Sequence, residues 1–112
     1  MIINMTKRNR SVKGVSPQDL QKINSFILGQ VKLWCKNNKN AWFSMRSFMG
    51  GSNRNWNNTP LQALYDKNVK AGVKKPYNAT AVDAGYLLQE VLLNMPDLFE
   101  TKLNRIREYK KI

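Results

Sequence analysis

The chain has 112 residues, of which 42% are hydrophobic and 10% aromatic, enough for a single domain with a buried core. Its 19 lysines and arginines against 7 acidic residues give a net charge of +12, which favours a polyanionic partner such as DNA, RNA or an anionic membrane. The absence of histidine removes the commonest general base and metal ligand. The single cysteine, Cys35, excludes an internal disulfide and a cysteine metal cluster.

The compartment is predicted from what the sequence lacks. No apolar run approaches the roughly 18 residues of a membrane span, and residues 1–5 are too short for the apolar core of a signal peptide. A single cysteine suits a reducing compartment. We therefore expect a cytoplasmic protein without membrane contact, with Cys35 a buried and unreactive thiol.

Residues 1–15 are predicted to form a flexible basic arm ahead of a domain over residues 16–112. The basic side chains of the arm are unopposed by any acid: Lys7, Arg8, Arg10 and Lys13. Sparse apolar content and Gly14 make independent folding unfavourable. Such arms can follow a DNA backbone or enter a minor groove, and a terminus without a function is the alternative.

A first helix is predicted to begin at Ser16, a good N-cap, with Pro17 at the first helical position. Its buried face is indicated by apolar residues three or four positions apart: Leu20, Ile23, Ile27, Val31 and Trp34. Phe26, Leu28 and Leu33 widen that face. This helix is expected to be the central element of the core.

The segment after the first helix contains two short candidates and a polar loop. Residues 41–43 are a strand candidate, and Ser44 is placed to cap a brief helix over residues 45–49. The loop that follows mixes Arg54 with asparagines and Trp56, a combination that can contact DNA or stack on a base. Arg54 is kept as a DNA-contact candidate, whereas Trp56 is expected to fold back onto the core.

A second helix is indicated by Thr59, Pro60 and Gln62, which resemble a capping box with proline at the first helical position. Its buried face is predicted from four residues: Leu61, Leu64, Tyr65 and Val69. Gly72 is expected to end it, because glycine readily adopts the left-handed conformation of a helix C-terminus.

A last helix is predicted to start at Asn78 or Thr80 and to end at Pro96, which cannot continue it. Its core face is predicted from small and aliphatic residues: Ala81, Ala84, Gly85, Leu88, Val91 and Leu92. The helix has no lysine or arginine but contains Asp83 and Glu90. DNA phosphates would repel both carboxylates if they faced a duplex.

Residues 98–112 are predicted to form a basic β-hairpin. Apolar and polar residues alternate before Asn104, where a two-residue turn would join the two strands. The segment carries five basic and two acidic residues. A basic hairpin after a helix is typical of the wing of a winged-helix domain; a solvated edge hairpin or a frayed helical tail is the alternative.

The predicted order is a basic arm, a helix, a short strand, a short helix, two further helices and a hairpin. This is the order of a winged helix-turn-helix domain, in which the short strand can join the hairpin as a third strand. We therefore expect a mainly α fold with a small β-hairpin, a winged helix-turn-helix. Whether the helix over residues 59–71 is the second helix of the motif or an insertion stays open.

The wing is predicted to carry more of the DNA binding than the last helix, because the positive charge lies there. Arg105 and Arg107 are the best base or minor-groove readers, since a guanidinium offers a rigid fork of donors. From the last helix, Thr80 and Gln89 face outward, and its N-terminus at residues 78–80 can accept a phosphate. Tyr109 is expected to lie in the core or to stabilise the wing, not to stack on a base. The remaining contact candidates are Lys74, Lys75, Lys102, Asn104, Lys110 and Lys111.

Catalysis has little support in the sequence. The seven acidic residues are scattered without the spacing of a nuclease site, and no histidine can serve as a base for a serine. Gly50 and Gly51 lack the Lys-Ser/Thr of a phosphate-binding loop. We therefore expect a protein that is not an enzyme and holds neither metal nor cofactor.

Element order, size, basicity and the asparagine- and lysine-rich composition of residues 16–112 resemble the small winged-helix accessory proteins of conjugative-plasmid relaxosomes, the TcpK-like proteins. The resemblance implies double-stranded DNA binding near an origin of transfer, in support of a relaxase. It places the wing contacts at Lys102, Arg105 and Arg107. The neutral-to-acidic last helix departs from a standard reader helix, which puts a simple major-groove mode in doubt.

Three alternatives stay open beside a transfer accessory factor. The first is a small transcriptional regulator, and many such DNA-binding proteins act as homodimers on repeated sites. The second is a phage or plasmid protein that inhibits or bridges another protein through its basic surface. The third is an RNA-binding protein that uses Trp56 and Tyr109 as stacking platforms.

Overall fold

The computed structural model describes residues 1–5, 12–49 and 56–112. Within them, a short 3₁₀ helix, Met45–Met49, lies between the first two of three α-helices. The helices and the two antiparallel strands are α1 Pro17–Asn37, α2 Gln62–Lys70, α3 Pro76–Asn94, β1 Phe99–Leu103 and β2 Arg107–Lys111. The prediction of a mainly α chain with a small β-hairpin is confirmed.

Helix α1 begins where its cap predicts. The Ser16 hydroxyl accepts a hydrogen bond from the Asp19 backbone N–H at 3.1 Å, and Ile23, Ile27 and Val31 are fully buried. The prediction that Leu33 widens the buried face is wrong, since its side chain is 54% exposed. Leu33 lies two residues beyond Val31, which is about 200° around the helix.

Helix α2 is entered through Thr59, whose hydroxyl accepts the Leu61 backbone N–H at 3.2 Å. Gln62 does not complete a capping box, because its side-chain amide donates to Asp66 at 2.9 Å. The helix ends at Lys70, and Gly72 follows with a φ of +73°. The glycine stop is therefore confirmed.

Helix α3 begins at Pro76, earlier than the predicted Asn78 or Thr80, because proline suits the first helical turn. Thr80 therefore lies within the helix, where it is fully buried and accepts a hydrogen bond from the Asn68 amide at 3.2 Å. Asn68 takes the buried place predicted for Val69, which is exposed. The prediction of Thr80 as a DNA contact is therefore wrong. The predicted phosphate site at residues 78–80 is also wrong, because the helix starts at Pro76 and these residues are not its N-terminus.

The hairpin has a three-residue loop at residues 104–106 instead of the predicted two-residue turn, because Leu103 pairs with Arg107. This register puts Phe99 and Tyr109 on the same inner face, where both are buried. A loop one residue shorter would turn Tyr109 to the opposite face from Phe99. Burial of two aromatic rings thus selects the longer loop.

The strand expected at residues 41–43 is reduced to one bridge. The backbone N–H of Phe43 donates to the Tyr109 carbonyl at 2.8 Å, and the Tyr109 N–H donates back at 2.7 Å. The Phe43 ring is buried and packs edge-on against Phe99, with 6.2 Å between centroids. This aromatic cluster anchors the base of the hairpin to the helices.

The first residues of the chain differ from the expected flexible arm. Ile2 is buried and forms a parallel bridge with Phe99, and Val12 and Val15 pack against the core. Residues 1–5 therefore lie along the free edge of β1. The positions of Lys7, Arg8 and Arg10 lie outside the described residues.

Candidate nucleic-acid interface

A groove of about 460 Å³ lies between the tip of the hairpin and α3, with the 3₁₀ helix as its third wall. Among the residues that the structure describes, its lining includes three arginines and no acidic side chain. Arg105 and Arg107 come from the hairpin, and Arg46 comes from the 3₁₀ helix. The groove is therefore a concave surface of positive charge, suited to an anionic ligand.

The hairpin wall of the groove is ordered by strand pairing. Arg107 lies on the same face as Tyr109, and its guanidinium donates to the Thr101 hydroxyl across the strands at 3.2 Å. Arg105 is exposed in the loop. Leu103 is 66% exposed at the end of β1. The tip thus presents cationic and apolar side chains together.

The wall formed by α3 is neutral. Its lining residues are Ala81, Val82, Gly85, Tyr86, Leu88 and Gln89. The Gln89 amide donates to the Tyr109 hydroxyl at 3.5 Å, so this predicted contact residue is turned toward the hairpin. Val82 is exposed at the rim of the groove.

The two acidic residues of α3 lie away from the groove. Asp83 pairs with Lys67 of α2 at 2.8 Å and accepts a hydrogen bond from Asn68 at 3.1 Å. Glu90 lines a cleft between α3 and α1. The repulsion expected if these carboxylates faced DNA therefore does not apply to the groove.

Two of the predicted phosphate contacts, Lys102 and Lys110, lie on the outer face of the hairpin. Their ammonium groups sit 4.3 Å and 5.1 Å from the centre of the Trp42 ring, within the range of a cation–π interaction. Lys110 also pairs with Glu100 at 3.0 Å. This face is separate from the groove, because side chains alternate along a strand.

The other predicted contacts are scattered. Lys111 pairs with Asp97 at 3.1 Å at the base of the hairpin, and this hydrogen bond lowers the pKa of Asp97. Asn104 donates to Glu108 at 3.0 Å and serves the loop. Lys74 and Lys75 are exposed ahead of α3. Arg54 lies outside the described residues.

Sequence reasoning missed Arg46, which is far along the chain from the hairpin but lines the same groove. The one available signal was the strand candidate at residues 41–43, since its pairing with β2 brings the following 3₁₀ helix to the hairpin. The burial predicted for Trp56 and Tyr109 is confirmed. Neither ring is therefore an exposed stacking platform for RNA.

Comparison with known proteins identifies no relative of this chain. Neither a protein-family model, nor a curated protein, nor a solved structure matches this chain. In the part of the chain that the structure describes, no helix is both long and apolar enough to cross a bilayer.

Proposed function

We propose that this protein is a non-enzymatic double-stranded DNA-binding protein with a winged-helix fold. The observation that carries the proposal is the groove lined by Arg46, Arg105 and Arg107, with no acidic side chain among the described lining residues. Guanidinium groups suit this role, because their planar donor fork matches phosphate oxygens and base edges. The single bridge between Phe43 and Tyr109 supports the winged-helix assignment, since it joins the segment after α1 to the hairpin at the place of a third strand.

In this proposal the hairpin tip makes the more specific contact. Minor-groove proteins combine arginine with apolar side chains that wedge between base steps. Arg105, Leu103 and Ile106 offer that combination at the tip, where all three are exposed. Arg46 and Arg107 contact phosphates, and the neutral face of α3 lies alongside the duplex without repelling it. Sequence specificity then comes from the wing.

The cellular role rests on the resemblance in element order and composition. We place the protein in the cytoplasm as an accessory factor at a plasmid origin of transfer, with a relaxase as its protein partner. A small transcriptional regulator uses the same interface. A homodimer on repeated half-sites suits either role.

The proposal is tested by selecting bound duplexes from a randomised DNA pool at near-physiological salt. An enriched motif establishes sequence-specific binding, and its symmetry reports the number of protomers. A duplex binder that neutralises about six phosphates also loses affinity with a log–log salt slope of roughly −5. Retention without enrichment reduces the claim to electrostatic binding, and no retention contradicts it.

The exposed apolar residues of the groove favour a second candidate function. Val82, Leu103 and Ile106 lie beside the arginines, and exposed apolar patches with a polar rim also mark protein interfaces. In that case the protein acts as an inhibitor or adaptor on an acidic protein surface. Weak duplex retention that does not respond to Arg105→Ala would favour this function over DNA binding.

A further inference from the structure

A second basic surface lies where the C-terminal half of α1 meets the base of the hairpin. A pocket of about 470 Å³ is lined there by Lys32 and Lys36 of α1, Lys39 of the turn that follows α1, and Lys111 of β2. The one acidic residue among its described lining residues, Asp97, pairs with Lys111 at 3.1 Å. Lys32, Lys36 and Lys39 are exposed, so the pocket presents an excess of ammonium groups to solvent.

The spacing of these lysines suits a phosphate backbone. Lys32 and Lys36 are four residues apart and therefore lie on the same face of α1, about 6 Å apart along its axis, so both can reach one phosphate backbone. Lysine ammonium groups act on phosphate as point charges without a fixed geometry. Burial raises the pKa of the Cys35 thiol in the same pocket, so this group stays neutral and does not repel an anion.

Helix α1, which carries Lys32 and Lys36, and the groove lie on different sides of α3. Gly85 and Gln89 line the groove, whereas Val91 and Asn94 line the cleft shared with α1. At 3.6 residues per turn these two sets are about 180° apart around α3. Helix α1 therefore lies on the far side of α3 from the groove, and the groove and the lysine pocket have no described lining residue in common.

We propose that the surface formed by Lys32, Lys36, Lys39 and Lys111 binds the backbone phosphates of a second duplex segment, so that one protein molecule holds two DNA segments together. The inference rests on the proposed function of the groove, which supplies the first segment. Contacts at the lysine surface are electrostatic and independent of sequence. The protein then joins a specific site to any neighbouring duplex.

The test is a bridging assay with two short duplexes. One duplex carries the selected site and is fixed to beads, and the second is fluorescent and is captured only through the protein. The test variant is K36Q/K39Q. The control is K22Q/K70Q, which also removes two exposed lysines but leaves the lysine surface intact. Lys70 lies in the last turn of α2 as Lys36 lies in the last turn of α1. Thermal unfolding verifies that all variants are folded.

We expect K36Q/K39Q to reduce capture of the second duplex about tenfold while changing affinity for a single duplex by less than about twofold. The control keeps both properties. Unchanged capture by K36Q/K39Q would overturn the proposal and indicate bridging by a dimer. An equal loss of single-duplex affinity would also overturn it, since the lysines then contact the first duplex. If wild type binds one duplex but captures no second, this inference fails alone; if it binds none, the proposed function fails.

Discussion

The tip and the base of the hairpin differ in whether their basic side chains are paired with carboxylates. At the tip, Arg105 and Arg107 line a groove that has no acidic residue among its described lining. At the base, Lys110 and Lys111 each pair with a carboxylate, that of Glu100 or Asp97, and the buried rings next to them fix the hairpin to the core. The five basic residues of the hairpin therefore belong to several surfaces, and the arginines at the tip line a groove without an acidic residue among its described lining.

The largest expected effect comes from removing the aromatic anchor at the base of the hairpin. Phe99→Ala deletes a fully buried ring, and such truncations cost about 3–5 kcal/mol of unfolding free energy. Leu103→Ala at the exposed tip is the matched control and should cost less than about 0.5 kcal/mol. Urea unfolding followed by circular dichroism measures both, and equal losses would contradict the division into anchored base and open tip.

The next largest effect is on duplex affinity at the tip. Arg105→Ala should weaken binding of the selected duplex by about 1–3 kcal/mol, because it removes the guanidinium proposed to contact bases. Arg107→Ala removes a proposed phosphate contact and should weaken binding of all duplexes alike. Fluorescence anisotropy with a labelled duplex measures the loss. K110Q/K111Q, which removes two positive charges against one in each arginine variant, serves as the control and should change affinity by less than about 1 kcal/mol. A larger loss in the control than in the arginine variants would refute the tip as the contact.

A smaller effect is expected on the outer face of the hairpin. Lys102→Gln removes the ammonium group 4.3 Å from the Trp42 ring, an exposed cation–π contact with a contribution of about 0.5–1 kcal/mol. Stability should fall by that amount while duplex affinity stays nearly constant. Parallel thermal unfolding and anisotropy measurements check this. A pronounced loss of affinity would show that the outer face also contacts DNA.

The smallest effect concerns pH at the base. The hydrogen bond from Lys111 lowers the pKa of Asp97 below its usual 3.8, so the pair contributes stability above that pH and loses it as the pH falls through the lowered pKa. The contribution of a solvent-accessible pair is below about 1 kcal/mol. Thermal unfolding of wild type and Asp97→Asn between pH 2 and 7 should converge at the acid end. A constant difference would contradict the assignment.

Local signals predicted the elements well. The Ser16 cap, the Gly72 stop and the alternation before Asn104 each act within a few residues, and the sequence displays them directly. Each of these features depends on neighbours in the chain, so no long-range packing is needed to foresee it.

The candidate site depended on packing that the sequence does not display. The loop at Asn104 is one residue longer than its turn signal indicates, because Phe99 and Tyr109 must share a face. Thr80 is buried because α2 brings Asn68 against it. Arg46 reaches the groove through a single bridge distant in sequence. These outcomes are set by contacts between elements, whose relative placement a lone sequence leaves undetermined.

The most direct test of the central claim is a titration of the isotope-labelled protein with the selected duplex, followed by backbone amide chemical shifts. We expect the largest chemical-shift changes at residues 81–89 and 103–107, the two walls of the groove. Amides near Asp97 and Lys111 should shift little at one equivalent of duplex. Changes confined to the base of the hairpin, with the groove amides unaffected, would contradict it.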